Sequence, residues 1–193
     1  MPKSSIAHIV GLGGTIRPSS TSGKALKFSL DYASSQGARV QLFTAEDLHL
    51  PLYDPDSKSS DPKADRLIAA LRDADGVIIA SPGYHGSISG AVKNVLDFTE
   101  MMSRDERPYL DGRAVGCIAV AAGWQAAGAT LHTLRSIVHA LRGWPTPLGV
   151  MMNSSEPQFD AEGHSLVPQV ATALQIMTQQ VLNFANLHQS SLK

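Results

Sequence analysis

The chain has 193 residues, 43% of them hydrophobic and 17% charged, which suits a single domain over residues 1–193 with a substantial core. A net charge of -1, from 16 basic and 17 acidic residues, excludes the broad field that draws nucleic acid or an anionic membrane surface. One cysteine, Cys117, excludes an intrachain disulfide and fits a reducing compartment.

The opening residues Met1-Pro2-Lys3-Ser4-Ser5 carry a charge but no apolar signal core. No later segment approaches the length of a membrane span, so a cytoplasmic protein with no membrane partner is expected. Residues 6–12 predict a first strand. The polar turn Gly11-Leu12-Gly13-Gly14-Thr15-Ile16-Arg17-Pro18-Ser19-Ser20-Thr21-Ser22 leads into a helix over about 22–35, read from Leu26, Leu30 and Ala33 and ended by Gly37. Val40, Leu42 and Phe43 predict a second strand. A proline-broken loop over 48–56 follows, longer than a simple turn requires. Pro62 opens a second helix carried by Leu67, Ile68 and Leu71. Residues 76–80 read as a strand buried on both faces.

The loop over 81–90 precedes a helix over about 89–102, with Val92, Val95, Leu96 and Thr99 on one side. Residues 114–121 predict a fourth strand, in which Cys117 is expected to be an inert buried thiol. A loop over 122–128 and a helix over about 129–141 follow, stopped by Gly143 and Pro145. Residues 146–152 predict a fifth strand. The last helix, about 167–187, is read from Val170, Leu174, Met177, Val181 and Phe184. The seven histidines show no H-E-x-x-H or paired Cys/His spacing, so no metal site is expected.

Five strands alternating with helices imply an α/β fold: a doubly wound five-stranded parallel sheet, order 2-1-3-4-5, with helices on both faces. Ligands bind such sheets beyond the carboxyl ends of the strands, at the switch between strands one and three. The loops at 11–22, 81–90 and 122–128 all fall there.

The first loop is an anion cradle. Five hydroxyls, from Thr15, Ser19, Ser20, Thr21 and Ser22, and the guanidinium of Arg17 surround a helix N-terminus with its unpaired N–H groups and partial positive charge. A P-loop is excluded because Ala25 follows Lys24 where Ser or Thr is needed and Pro18 stands where a glycine is needed. The dinucleotide pattern fails at Ile16, in the third glycine position. An ordinary strand–helix turn with a Ser/Thr cap is the plain alternative. The second loop adds Tyr84, His85 and exposed backbone around Gly83 and Gly86; the third adds Gly123, Trp124 and Gly128. A phosphate site at one end and room for a flat polar ring at the other describe a mononucleotide, and flavin mononucleotide (FMN) fits best.

The stretch Thr15-x-Arg17-x-x-Ser20-x-Ser22 followed by Leu26 resembles the phosphate loop of the NAD(P)H-dependent FMN reductases of flavodoxin-like fold. Residues 81–97, with Ser81-Pro82, Tyr84-His85-Gly86-Ser87-Ile88-Ser89-Gly90, Lys93-Asn94 and Asp97, resemble their second signature. Leu50-Pro51-Leu52-Tyr53-Asp54 matches a further stretch. The likeness spans about residues 6–155. It departs at Thr15, where serine is common, at Gly83, where glutamate or asparagine is common, and at His85, where asparagine is common.

The resemblance implies that Thr15, Arg17, Ser20 and Ser22 hold the FMN phosphate. It implies that Pro82, Gly83, Tyr84, His85 and Gly86 line the flavin ring, with Gly123 closing the far side. NADPH or NADH is the implied donor, and no side chain is needed as acid or base, so no catalytic residue is named. A homodimer or homotetramer is implied, with residues 87–102 on a dimer face, and a monooxygenase is an implied recipient of reduced FMN. Sulfonate-utilisation flavin reductases in this family carry an inserted residue that forms a π-bulge, near His132 in this chain. Quinone, azo and chromate reductases share these loops. Two further classes remain: a flavodoxin-like electron carrier, disfavoured by the weak net charge, and a serine hydrolase, whose G-x-S-x-G is missed by one position at residues 86–90.

Overall fold

In a computed structural model, the structure describes residues 6–57 and 61–191; the N-terminal stretch 1–5 read above for a signal lies outside them. Strand β1 (His8–Gly13) leads through the polar turn into α1 (Thr21–Ser35). Strand β2 (Arg39–Phe43), a 3₁₀ turn at Ala45–Leu48, α2 (Pro62–Asp73) and β3 (Gly76–Tyr84) follow. Next come β4 (Ser87–Ile88), α3 (Gly90–Asp97) with a 3₁₀ extension at Phe98–Met102, and β5 (Ala114–Ala121). The chain continues with α4 (Trp124–Ala140), β6 (Trp144–Pro145), β7 (Val150–Asn153) and α5 (Pro168–Ser191).

The parallel sheet runs β2-β1-β3-β5, and the position beyond β5 is shared by β6 and β7. The expected order 2-1-3-4-5 is present, and the expected single fifth strand over 146–152 is split. Trp144 and Pro145 pair with Ala114 and Val115, while Val150 to Asn153 pair with Ile118 to Ala121. Between the two, Thr146 still gives its N–H to the Val115 carbonyl at 3.0 Å, while its hydroxyl donates to the Leu148 carbonyl at 2.8 Å and shapes the turn that parts them. Pro145 and Pro147 have no N–H to give a ladder.

The strand at 76–80 is longer than expected, running on to Tyr84, because its partner β5 also continues and Ser81 and Pro82 still pair with Ala119 and Val120. Beyond it the chain folds back as a hairpin onto β4, so the sheet has seven strands where five were expected. His85 (φ 50°) and Gly86 (φ 86°) both take left-handed backbone, the pattern of the tight turn that matches strand twist. Helix α4 starts five residues before the expected 129. Gly123 is its cap, and residues 124–128, read as loop, form its first turn.

The apolar positions sort onto two faces. Helices α2, α3 and α4 cover one through Leu67, Ile68, Val92, Val95 and Leu134. Helices α1 and α5 cover the other through Leu26, Leu30, Leu174, Met177 and Val181. Cys117 is buried in β5, and burial pushes its thiol up to about 12, so it stays protonated and inert.

The amino end of the sheet holds two buried polar residues that periodicity did not single out. Arg113 is 1% exposed, and its guanidinium donates to the carbonyls of Arg72, Ala74, Tyr109 and Asp111 at 3.0–3.2 Å. Burial lowers it to about 10, still charged at neutral pH. His8 is 2% exposed, with Arg39, Asp73 and Asp75 around it. Burial, then the Arg39 charge, hold its imidazole below the usual 6.5.

A histidine whose folded-state pKa is depressed contributes stability that is complete above its unfolded value of 6.5 and is lost as pH falls below that value towards the folded one. His8→Gln should flatten that loss. Urea midpoints of parent and variant between about pH 8 and pH 5 check it: equal pH slopes would exclude the effect.

Candidate functional site

The turn after β1 is pressed against β3. The Gly14 N–H donates to the Ala80 carbonyl at 2.8 Å. Gly13 has φ 120°, and a Cβ there would overlap that same carbonyl oxygen. The contact turns residues 15–20 out over the carboxyl ends of β1 and β3. Thr15, 7% exposed, folds its hydroxyl back on the turn: Oγ1 accepts from the Arg17 N–H at 3.0 Å. Ser20 Oγ accepts from the Gly23 N–H at 3.1 Å and so caps α1. The cap reading and the anion reading therefore coexist, because the Ser20 O–H stays available as a donor. The N–H groups of Thr21 and Ser22, in the first turn of α1, have no carbonyl within the helix to bond. Arg17 is exposed at the mouth of the turn. Lys24 points elsewhere, its Nζ donating to the Asp160 carbonyl at 2.6 Å.

The second wall is the end of β3. Ser81 is fully buried; its Oγ accepts from the Ser89 N–H at 3.0 Å and donates to the Pro82 carbonyl at 2.9 Å, clamping the hairpin base. Ser89 in turn caps α3 through the Val92 N–H at 3.2 Å. Both oxygens thus serve as backbone acceptors at the base of the hairpin and the start of α3. Gly83 lies against α4, where a Cβ would overlap the Thr130 hydroxyl and stand 3.0 Å from the Ala121 Cβ. A larger residue, common here in the resembling family, has no room beside this α4. Tyr84 is 48% exposed.

The third wall is the β5–α4 turn. Asn153 Oδ1, at the end of β7, accepts from the Gly123 N–H at 2.9 Å and the Ser155 N–H at 3.0 Å. Helix α4 is α-helical throughout Trp124–Ala140, so the expected π-bulge near His132 is not present.

These walls enclose a cleft of about 460 Å³, within the range of small-molecule and cofactor sites. Seven of the sequence-derived site residues line it: Thr15, Arg17, Ser20, Ser22, Pro82, Gly83 and Tyr84. His85, Gly86 and Gly123 are not among the lining residues; the first two form the hairpin turn and the third caps α4. Ser154 lines the cleft and sequence reasoning missed it; its only signal is its place one residue past the fifth strand position. Asn94 also does more than expected of a helix residue. Its Oδ1 accepts from the Tyr53 N–H and its Nδ2 donates to the Pro51 carbonyl, both at 2.9 Å, which ties the 50–54 loop to α3.

The donor set fits FMN: hydroxyls, open helix N–H groups and a guanidinium at one end for a phosphate, apolar backbone-rich walls and one tyrosine at the other for a ring. The family model described as NADPH-dependent FMN reductase matches residues 7–157. The chain belongs to that family. It is therefore an oxidoreductase of a flavin-dependent, nicotinamide-nucleotide-using family. It is similar to an NAD(P)H-dependent FMN reductase of Pseudomonas aeruginosa, 26% identical over 90% of this chain and 96% of that one. It is also similar to an FMN-dependent NADPH-azoreductase of Staphylococcus aureus, 28% identical over 70% of this chain and 73% of that one. Among solved structures, RosB with a bound riboflavin-phosphate intermediate superposes with a TM-score of 0.78 at 14% identity, covering 96% of this chain and 81% of RosB. FerB of Paracoccus denitrificans, a flavoenzyme NAD(P)H:acceptor oxidoreductase, gives 0.70 at 20% identity, covering 95% and 99%. Both show the flavodoxin-like fold. No helix among the described residues is long and apolar enough to cross a membrane.

Gly83→Ala should destabilise the protein by about 1–3 kcal/mol, the usual cost of overpacking, and Thr130→Ala should recover part of the loss in the double variant. Thermal melts of the four proteins check this; purely additive losses would refute the steric coupling.

Proposed function

We propose that the chain is an NAD(P)H-dependent FMN reductase whose cleft at the carboxyl edge of the sheet holds FMN. The observation that carries this reading is the continuity of one cleft from the Thr15–Ser22 turn to Pro82, Gly83 and Tyr84. Thr15, Ser20 and Ser22, the Thr21 and Ser22 N–H groups and Arg17 would hold the phosphate. Pro82, Gly83 and Tyr84 would flank the ring, while His85, Gly86 and Gly123 set the backbone of the two loops beside it. FMN supplies the hydride-accepting centre and the nicotinamide supplies the hydride.

The chain's own residues bind, align and shield. Charge-assisted donors at the phosphate anchor the tail. The walls at Pro82–Tyr84 and Val120–Ala122 exclude water from one side of the ring site, and the open mouth leaves room for a planar donor. An open cleft without a lid would also let reduced FMN leave, which suits supply to a partner monooxygenase. An azo compound as final acceptor is the second reading, favoured by the likeness to azoreductases. A homo-oligomer with residues 87–102 on a dimer face completes the proposal; Met101, 43% exposed, lies in that segment.

The purified protein should oxidise NADPH or NADH only with FMN present; no rate above background with added FMN would refute the reading. Arg17→Ala should weaken FMN binding about tenfold to a hundredfold, the worth of a hydrogen bond to a charged group, with the maximal rate kept at saturating FMN. Ser20→Asp separates the two tasks of that hydroxyl. Aspartate caps a helix as well as serine but repels a phosphate, so melting should hold while FMN affinity falls. Flavin titration and thermal melts of Ser20→Asp beside Ser20→Ala read the two effects apart.

A further inference from the structure

Helix α4 begins without a capping side chain of its own. Its cap is Gly123, with φ 103° and ψ 146°, a left-handed backbone that favours glycine over the Ser, Thr or Asp that ordinarily ties down a first turn. The turn is fastened instead from 30 residues further along the chain. Asn153, at the end of β7, receives the Gly123 N–H on Oδ1 at 2.9 Å, and the same oxygen receives the Ser155 N–H at 3.0 Å. Both partners are N–H donors, so the side-chain oxygen and not the amide nitrogen faces them.

These bonds bracket two residues of the cleft wall. Ala122 lines the cleft, and both its neighbours are held: the Ala121 carbonyl by the Ser154 N–H at 2.9 Å, and Gly123 by Asn153. Ser154 lines it too, between Asn153 and the Ser155 N–H that Asn153 receives. From behind, the buried Gln158 donates Nε2 to the Asn153 carbonyl at 2.7 Å. An Asx turn from Asn153 to Ser155 alone would be ordinary strand-end chemistry. The bond to Gly123 is not local, and it joins two pieces of wall that belong to different elements. The Thr15–Ser22 turn is fixed by bonds of its own at Gly14, Thr15 and Ser20. Among the described residues that line the cleft, Arg17 alone is charged, and it stands at the phosphate end.

We propose that Asn153 is the positioning residue of the ring end: through Gly123 and Ser155 it holds Ala122 and Ser154 in register beside the flavin, and as a neutral amide it keeps that wall free of charge. This role rests on the reading of the cleft as an FMN site. An amide meets both demands. Aspartate would accept the same two N–H groups but would put a full negative charge one hydrogen bond behind the wall. That charge would disfavour reduced FMN, the more electron-rich form. Alanine would release the turn.

The test titrates the full-length protein with oxidised FMN, with riboflavin and, without oxygen, with reduced FMN. Asn153→Ala should weaken oxidised FMN and riboflavin by the same factor, about tenfold, because the phosphate turn is untouched. Asn153→Asp should bring oxidised FMN back to within about twofold of the parent and leave reduced FMN about tenfold weaker, which moves the bound flavin's potential to more negative values. Gln36→Glu adds the same charge at an exposed position at the amino end of the sheet and should match the parent with every flavin. Melting curves read folding separately; where Asn153→Ala does not fold, the split between oxidised and reduced FMN in Asn153→Asp decides. Parent-like affinities in a folded Asn153→Ala, a loss seen with FMN and not with riboflavin, oxidised and reduced affinities that move together in Asn153→Asp, or a matching shift in Gln36→Glu would each overturn the proposal while leaving the reductase reading intact. A parent that binds no flavin would overturn that reading and this role with it.

Discussion

The functional end of this molecule rests on one close contact, the Gly14 N–H on the Ala80 carbonyl. It brings the turn after β1 to the shoulder of β3, and only a glycine at position 13 leaves that carbonyl unobstructed. From there the direction of the turn, the start of α1 and the position of its open N–H groups follow. The cleft exists because two adjacent parallel strands end together while their connections depart to opposite faces of the sheet. The hydroxyls of Thr15 and Ser20 then serve two ends at once, closing the turn and facing the cleft.

The fold was legible because buried parallel strands are written as unbroken apolar runs; residues 114–121 match β5 end to end. The phosphate end was legible for a related reason: its chemistry lies in contiguous side chains, and Thr15, Arg17, Ser20 and Ser22 all line the cleft. The ring end was less so. Its geometry comes from pairing between β3 and β5, which carries Ser81 and Pro82 into the sheet, and from the hairpin turn at His85-Gly86. Gly123 and Gly128 looked alike in sequence, yet one caps α4 and the other lies within it. Ser154 and the Asn94 clamp depend on contacts across 30 or more residues, which no local pattern encodes.

Polar burial divides the sheet into two ends with different tasks. At the amino end, Arg113 gathers four backbone carbonyls and His8 sits enclosed among Arg39, Asp73 and Asp75. Such groups hold loop termini together and face no cleft. At the carboxyl end Thr15 and Ser20 make short-range hydrogen bonds that shape the turn while their side chains line the cleft.

Cys117 lies in the interior strand β5 with its thiol sealed and protonated. No thiol on the native chain is therefore open to maleimides or iodoacetamide. A cysteine placed at any exposed position becomes the single reactive handle on the native chain, ready for a spin label, a fluorophore or immobilisation on an electrode without prior removal of the natural residue.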